Sequence, residues 1–200
     1  MTARLEKIRE SKYVIYIEYI GVLCLFAIFY GGKMLFENLE LSRITVAILL
    51  FAYMCLGIKI VLTKYTKKEL ILGGIVLILC LIAFLHNRNE YIPTNFLLVF
   101  SLKNINLRDL LKKAFVVACI TVFSVAILSV LGIGGNMCET RNWGRGEETR
   151  YMFGFGEPNT MHMFAFRLMV LFVLWKNKMK WYHIVSLLVL NILLFQFTVS

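Results

Sequence analysis

Seven apolar runs separated by short polar stretches organise the chain, at 13–30, 44–62, 69–85, 91–102, 114–133, 160–175 and 181–198. A helix needs about 20 mostly apolar residues to cross a bilayer, and six of the runs come close enough to predict a membrane-spanning helix each. The run at 91–102 is shorter. Its core, Phe96-Leu97-Leu98-Val99-Phe100, follows Ile92-Pro93, and at about 1.5 Å per residue it covers only about 18 Å unless its polar flanks join it. It reads either as a short span or as a re-entrant or interfacial segment. No run alternates apolar and polar residues with period two, which argues against transmembrane β-strands.

The charges between the runs choose between those two readings. With 91–102 as a span, the stretches 1–12, 63–68, 103–113 and 176–180 fall on one side and carry 4, 3, 4 and 3 Lys/Arg. The opposite side carries Lys33, Arg43, Arg88, Arg141, Arg145 and Arg150. The richer side is cytoplasmic by the positive-inside rule, so the expected fold is an all-α, polytopic transmembrane helical bundle of about seven spans with its N-terminus in the cytoplasm. Removing the short span would gather Arg88, Lys103, Arg108, Lys112 and Lys113 outside, which the rule disfavours. Tyr13, Tyr16 and Tyr19 on the first run, and Trp181 with Tyr182 on the last, then mark the inner interface.

Composition agrees with a lipid solvent. The 200 residues are 60% hydrophobic and 17% charged with only two prolines, against about 45–50% apolar for a soluble domain, and the mean hydropathy is +0.75. The net charge of +10 sits in short clusters between apolar runs rather than on one soluble face, so it does not point to nucleic acid. Cys24, Cys55, Cys80 and Cys119 lie inside apolar runs, where a thiol behaves as a small hydrophobe. Only Cys138 lies in a predicted external loop, and no CxxC spacing suggests a metal. Arg4, Lys7, Arg9 and Lys12 before the first run imitate a signal peptide, but Gly31-Gly32-Lys33-Met34 after it offers no cleavage site, so the run reads as a retained span.

Candidate chemistry gathers in one place. The long polar stretch 134–159 is predicted to be external and holds Arg141, Arg145 and Arg150, whose planar forked donors suit phosphate or diphosphate oxygens. The same arginines could instead pair with Glu139, Glu147 and Glu148 of that loop, or touch lipid headgroups. Gly154-Phe155-Gly156-Glu157-Pro158-Asn159 follows, a sequence that forbids a regular helix and lets Asn159-Thr160 cap the next one. Arg167 falls in the middle of the following run, where an arginine costs about 2.5–3.5 kcal/mol on insertion scales, so it should face a polar cavity or a structural partner on another helix. Asn159, Met163 and Arg167 share one helical face. His162, one turn inside the same helix, reads as a proton-transfer group or simply a hydrogen-bonding residue. Glu18 and Lys59, near the cytoplasmic ends of their runs, are expected to snorkel. No Walker loop, HExxH or dinucleotide fingerprint occurs, which disfavours an ATPase, a zinc protease or a nicotinamide enzyme.

An external arginine, then Gly-Phe-x-His-Pro-Asn, then a span resembles the motif of the O-antigen polymerase and O-antigen ligase (Wzy-type) superfamily of bacterial surface polysaccharide assembly. The matching residues are Arg150, Gly154, Phe155, Pro158 and Asn159, and Glu157 stands where many members have histidine. The final Phe197-Thr198-Val199-Ser200 is similar to the start of the family's Thr-x-Ser-Arg segment. The resemblance implies a single integral membrane domain over 1–200 that is the N-terminal part of a longer polymerase.

It also implies a metal-independent, cofactor-free glycosyl transfer at the outer face of the bacterial cytoplasmic membrane. The substrate would be a polyprenyl-diphosphate-linked oligosaccharide, with a flippase and a chain-length regulator as pathway partners. Arg150 would meet the charge on the departing diphosphate, with Arg141, Arg145, Asn159 and Arg167 contacting substrate. A transporter or flippase of lipid-linked or anionic substrates is the second reading, because an intramembrane arginine and a broken segment also suit a substrate pathway. A non-catalytic membrane scaffold is the third.

Overall fold

The computed structural model describes residues 12–88, 91–142, 146–176 and 178–199. Arg4, Lys7, Arg9, Arg145 and Ser200 lie outside the described residues, as do the side chains of Lys12, Arg141, Phe197, Thr198 and Val199. The protein is mainly helical. In chain order it forms α1 (Lys12–Ala27), a π turn (Ile28–Gly32), α2 (Lys33–Asn38), α3 (Ser42–Leu62), α4 (Lys67–Asn87), α5 (Tyr91–Ser101) and α6 (Leu107–Val130), then strands β1 (Cys138–Asn142) and β2 (Glu147–Tyr151), then α7 (Pro158–Trp175) and α8 (Trp181–Val199).

Each of the seven apolar runs is helical. Among the described residues, Tyr13–Asn38 taken through its kink, Ser42–Leu62, Lys67–Asn87 and Leu107–Val130 are long and apolar enough to cross a membrane. Tyr91–Ser101 and Trp181–Gln196 are apolar but shorter. Exposure agrees with a lipid setting: on α4 the side chains of Leu70, Ile71, Leu72, Ile75, Ile78, Leu79 and Ile82 are all open, an apolar surface too large for a water-soluble monomer. The protein is therefore a helical membrane protein.

Two boundaries depart from the sequence reading. The first helix does not stop near residue 30. It passes through a π turn, in which Lys33 N–H reaches Ile28 O, and continues to Asn38. Gly31 adopts φ 119° there, a conformation that only glycine tolerates cheaply, so the pair of glycines bends the helix instead of ending it. The sixth helix starts at Leu107 rather than at 114, and an Asp109–Lys113 ion pair at 2.8 Å supports its added first turns.

The chain divides into two compact units, Met1–Leu25 with Ile48–Leu107, and Phe26–Ala47 with Arg108–Ser200. In the first, α1 crosses α3 on small residues: a Cβ added to Gly21 would lie 2.9 Å from Cys55 Cβ and 3.2 Å from Ala52 O. Lipid gives helices no hydrophobic reason to associate, so close backbone approach through small residues supplies the contact. Helix α4 opens with a Thr66/Glu69 capping box and turns back onto α5, where a methyl on Gly73 would overlap the Phe100 ring.

The end of α5 is closed by side chains. At about 1.5 Å per residue its 11 residues reach about 17 Å, well short of a bilayer's ~30 Å. Its last carbonyls therefore need donors from the protein. Leu98 O accepts from Ser101 Oγ at 2.8 Å, and Val99 O accepts from Leu102 N at 3.3 Å. Phe100 O accepts from the Tyr65 hydroxyl at 2.8 Å, and Ser101 O accepts from Lys59 Nζ at 3.4 Å. Burial pushes the Tyr65 phenol above its ordinary range, which keeps it a donor. Lys103 pairs with Glu69 and lies over the Tyr65 ring, 5.0 Å from its centroid.

Lys59 and Glu18 do not snorkel. Glu18 is fully buried and Lys59 is 3% exposed, and they form an ion pair at 2.5 Å. A stranded charge in hydrocarbon would be worth several kcal/mol, so pairing inside the protein replaces the route to the interface.

Candidate functional site

The second unit carries the polar stretch 134–159, and that stretch is not an irregular loop. β1 and β2 form an antiparallel hairpin with Glu139 opposite Arg150, Thr140 opposite Thr149 and Arg141 opposite Glu148, an exception to the expected all-α fold. The signal was available in the sequence. Glu139-Thr140-Arg141 and Glu148-Thr149-Arg150 are the same triplet, and an antiparallel pairing of Glu-Thr-Arg with itself sets each acid against a base and threonine against threonine. The threonine hydroxyls meet at 2.6 Å.

Arg150 is half-buried, with its side chain 16% exposed. Its Nη2 and Nε donate to Glu148 Oε2 at 2.9 and 3.3 Å. Of the expected partners for this guanidinium, a carboxylate of the same loop is thus present. Arg141 stands opposite Glu148 in the register.

Beyond Tyr151 the chain turns inward. Met152 N and Phe153 N both donate to Met137 O, at 2.8 and 3.0 Å, and Gly154 N donates to Asn136 O at 3.0 Å, so the hairpin hands over to a tight turn that stays tied to the segment before β1. Gly154 sits at φ 81°, and a Cβ there would lie 3.1 Å from Ser129 Cβ and 3.3 Å from Val125 O. Gly154 O accepts from Asn38 Nδ2 at 3.0 Å. Gly135 completes the knot: a Cβ on it would come within 2.8 Å of Gly154 Cα and 2.7 Å of Asn38 Nδ2. Asn38 and Gly135 escaped the sequence reading, since nothing local marks an asparagine that contacts a glycine 116 positions away.

Phe155 is the anchor. It is 1% exposed and belongs to a core cluster with Val125 and Phe164, against which Met34, Leu35, Val122, Phe153 and Met161 pack. Its ring lies 5.1 Å from that of Phe164, and Gly31 in the π turn faces it, with 3.4 Å from a notional Cβ to Phe155 Cε1. The bend in the first helix and the Gly-Phe-Gly turn are thus fitted to each other.

Helix α7 begins at Pro158, with Glu157 at the N-cap and no side-chain cap bond. The expected cap by Asn159-Thr160 is not formed, because proline at N1 lacks the N–H and its ring already fixes a helical φ. Asn159 is instead exposed in the first turn, as are Gly156 and Glu157. Arg167 follows two turns later on an exposed face, where Nη2 approaches Met163 Sδ at 3.4 Å and Cζ lies 5.4 Å from the Phe164 ring centroid. The expected spacing of Asn159, Met163 and Arg167 is realised, but Arg167 is exposed in this chain rather than turned into a polar cavity. His162 Nε2 meets Asn191 Oδ1 at 2.8 Å, a bridge between α7 and α8, which matches the hydrogen-bonding alternative for that histidine.

Beside Phe155, α6, α7 and α8 line a half-open apolar pocket of about 380 Å³, with Phe115, Cys119, Phe155, Leu168, Phe172 and Leu190 among its walls. Arg150 and Asn159 therefore flank, along the chain, a turn whose buried Phe155 also lines an open apolar pocket. Comparison with protein-family models, with curated proteins and with solved structures finds no match for this chain.

Proposed function

We propose that this chain belongs to a polymerase-type glycosyltransferase that joins polyprenyl-diphosphate-linked oligosaccharide repeat units at the outer face of the bacterial cytoplasmic membrane. The proposal includes seven spans, a cytoplasmic N-terminus and an external 134–159 stretch, as the Lys/Arg asymmetry requires. The observation that carries the reading is the double role of Phe155. It anchors the turn that follows Arg150, and it lines an apolar cavity of about 380 Å³, an arrangement suited to a ligand with a diphosphate head and a hydrocarbon tail. Arg150 stabilises the departing diphosphate, the kind of preorganised charge that lowers a barrier without a metal. Arg141, Arg145, Asn159 and Arg167 serve as substrate contacts. A flippase that delivers the lipid-linked unit and a chain-length regulator are the partners this pathway implies.

The transporter reading keeps two observations in its favour. The first helix is bent at Gly31, and α5 ends after 11 residues beside a buried ion pair, features that substrate pathways through membranes also use.

Polymer length distribution separates the two. In cells carrying Arg150→Lys or Arg150→Ala at normal membrane levels, polymer should shorten to single repeat units, because lysine keeps the charge but loses the forked donor. Arg43→Lys should leave it unchanged. Wild-type polymer from both Arg150 variants would reject the polymerase assignment.

A further inference from the structure

We propose that Glu18, together with the carbonyl oxygens of Ser101 and Lys103, is a binding site for one small monovalent cation, and that the chain fills this site with its own Lys59 ammonium. The proposal is independent of the polymerase reading, since all four residues belong to the first unit.

The geometry is that of a cation in an oxygen cage. Lys59 Nζ donates to Glu18 Oε2 at 2.5 Å, to Lys103 O at 3.0 Å and to Ser101 O at 3.4 Å, one acceptor for each of its three protons. The two carbonyls come from the C-terminal end of α5 and the turn after it, where the helix dipole is negative and carbonyls lack partners of their own. Broken helices in membranes use this combination of carboxylate and helix-end carbonyls to hold sodium or a proton. One carboxylate matches one positive charge, which selects a monovalent ion over a divalent one.

A second observation separates this arrangement from an ordinary ion pair. Glu18 Oε1 is buried and accepts no hydrogen bond, although Glu18 is fully enclosed; the Ser101 hydroxyl that faces this carboxylate donates instead to Leu98 O. An ammonium has three protons, and here all three are used. The remaining carboxylate oxygen is therefore a spare ligand for an ion of different coordination, which a free cation could engage and the tethered lysine does not.

The test removes the tether and supplies the ion. Full-length Lys59→Ala, Glu18→Gln/Lys59→Ala and wild type are purified in detergent, and thermal unfolding is followed in sodium, potassium, ammonium or methylammonium chloride, with N-methylglucamine chloride holding ionic strength constant. Lys59→Ala should gain roughly 3–6 °C with one or more small cations and saturate, as a single site does at tens of times its Kd. Wild type, whose site is full, and the double variant, which lacks the carboxylate, should not respond. Should Lys59→Ala fail to accumulate in folded form, its folded yield on extraction into each salt is the readout, with recovery in small cations and none in N-methylglucamine expected. No rescue by any small cation in either readout, or the same response in all three proteins, overturns the proposal.

Discussion

Arg150 Nη2 lies 2.9 Å from Glu148 Oε2, so the guanidinium proposed to meet a diphosphate is already engaged by a carboxylate two residues before it. Binding an anion at Arg150 then means exchanging one partner for another. Partly exposed ion pairs are worth about 0.2–1 kcal/mol, so Glu148→Gln should bind inorganic pyrophosphate roughly 1.4- to fivefold more tightly than wild type. Adding Arg150→Ala to each of these two proteins should abolish the difference between them. Isothermal titration of the purified protein checks both, and equal affinity for wild type and Glu148→Gln would show that this pair does not control access to Arg150.

The turn at Gly154 should be sensitive to very small changes. Gly154→Ala places a methyl 3.1 Å from Ser129 Cβ at φ 81°, and strain with overpacking together cost about 1–3 kcal/mol. Asn38→Ala removes the donor to Gly154 O and the amide packed on Gly135 and should cost about 1 kcal/mol. Phe155→Ala empties the centre of a buried cluster and should cost about 3–5 kcal/mol. Thermal unfolding of the three variants should follow that order, Asn38→Ala mildest and Phe155→Ala most severe.

Cysteine pairs read the hairpin register directly. In a Cys138→Ser background, Thr140→Cys/Thr149→Cys should oxidise readily to a disulfide, because these positions face each other across the ladder. Thr140→Cys/Glu147→Cys should not, since a diagonal neighbour about 7–8 Å away is too far to bridge. Gel mobility with and without reductant distinguishes them, and equal crosslinking of both pairs would contradict the register.

Topology is tested with reporter fusions. Reporters placed after Lys67 and Lys113 should read cytoplasmic, and those after Asn89 and Glu148 external. A cytoplasmic signal at Glu148 would overturn the short span at 91–102 and put Arg150 on the wrong side for the proposed chemistry.

Helix positions were legible from local pattern alone. An apolar run placed in lipid has little choice but to satisfy its own backbone as a helix, and all seven runs are helical, including those shorter than a full span. The spacing of Asn159, Met163 and Arg167 was legible for the same reason, because one helical repeat sets it. The first boundary missed, at Gly31-Gly32, depended on whether two glycines would end a helix or bend it, and that was decided by Phe155 and Val125 packing against the bend.

Long-range pairing is where local pattern ran out. Glu18 and Lys59 are 41 positions apart and Asn38 and Gly154 are 116 apart, and neither pair announces itself in a window of the chain. A charge near the end of an apolar run can reach water or find a buried partner, and the energies of the two outcomes depend on which helix lies alongside. The hairpin lay between these extremes, written in a repeated Glu-Thr-Arg triplet but recognisable only once antiparallel pairing is considered. The chain's own composition thus determines that it enters lipid as helices, whereas three-dimensional packing decides which polar groups inside those helices meet, because in a solvent that offers no hydrogen bonds each of them must be answered by another part of the protein.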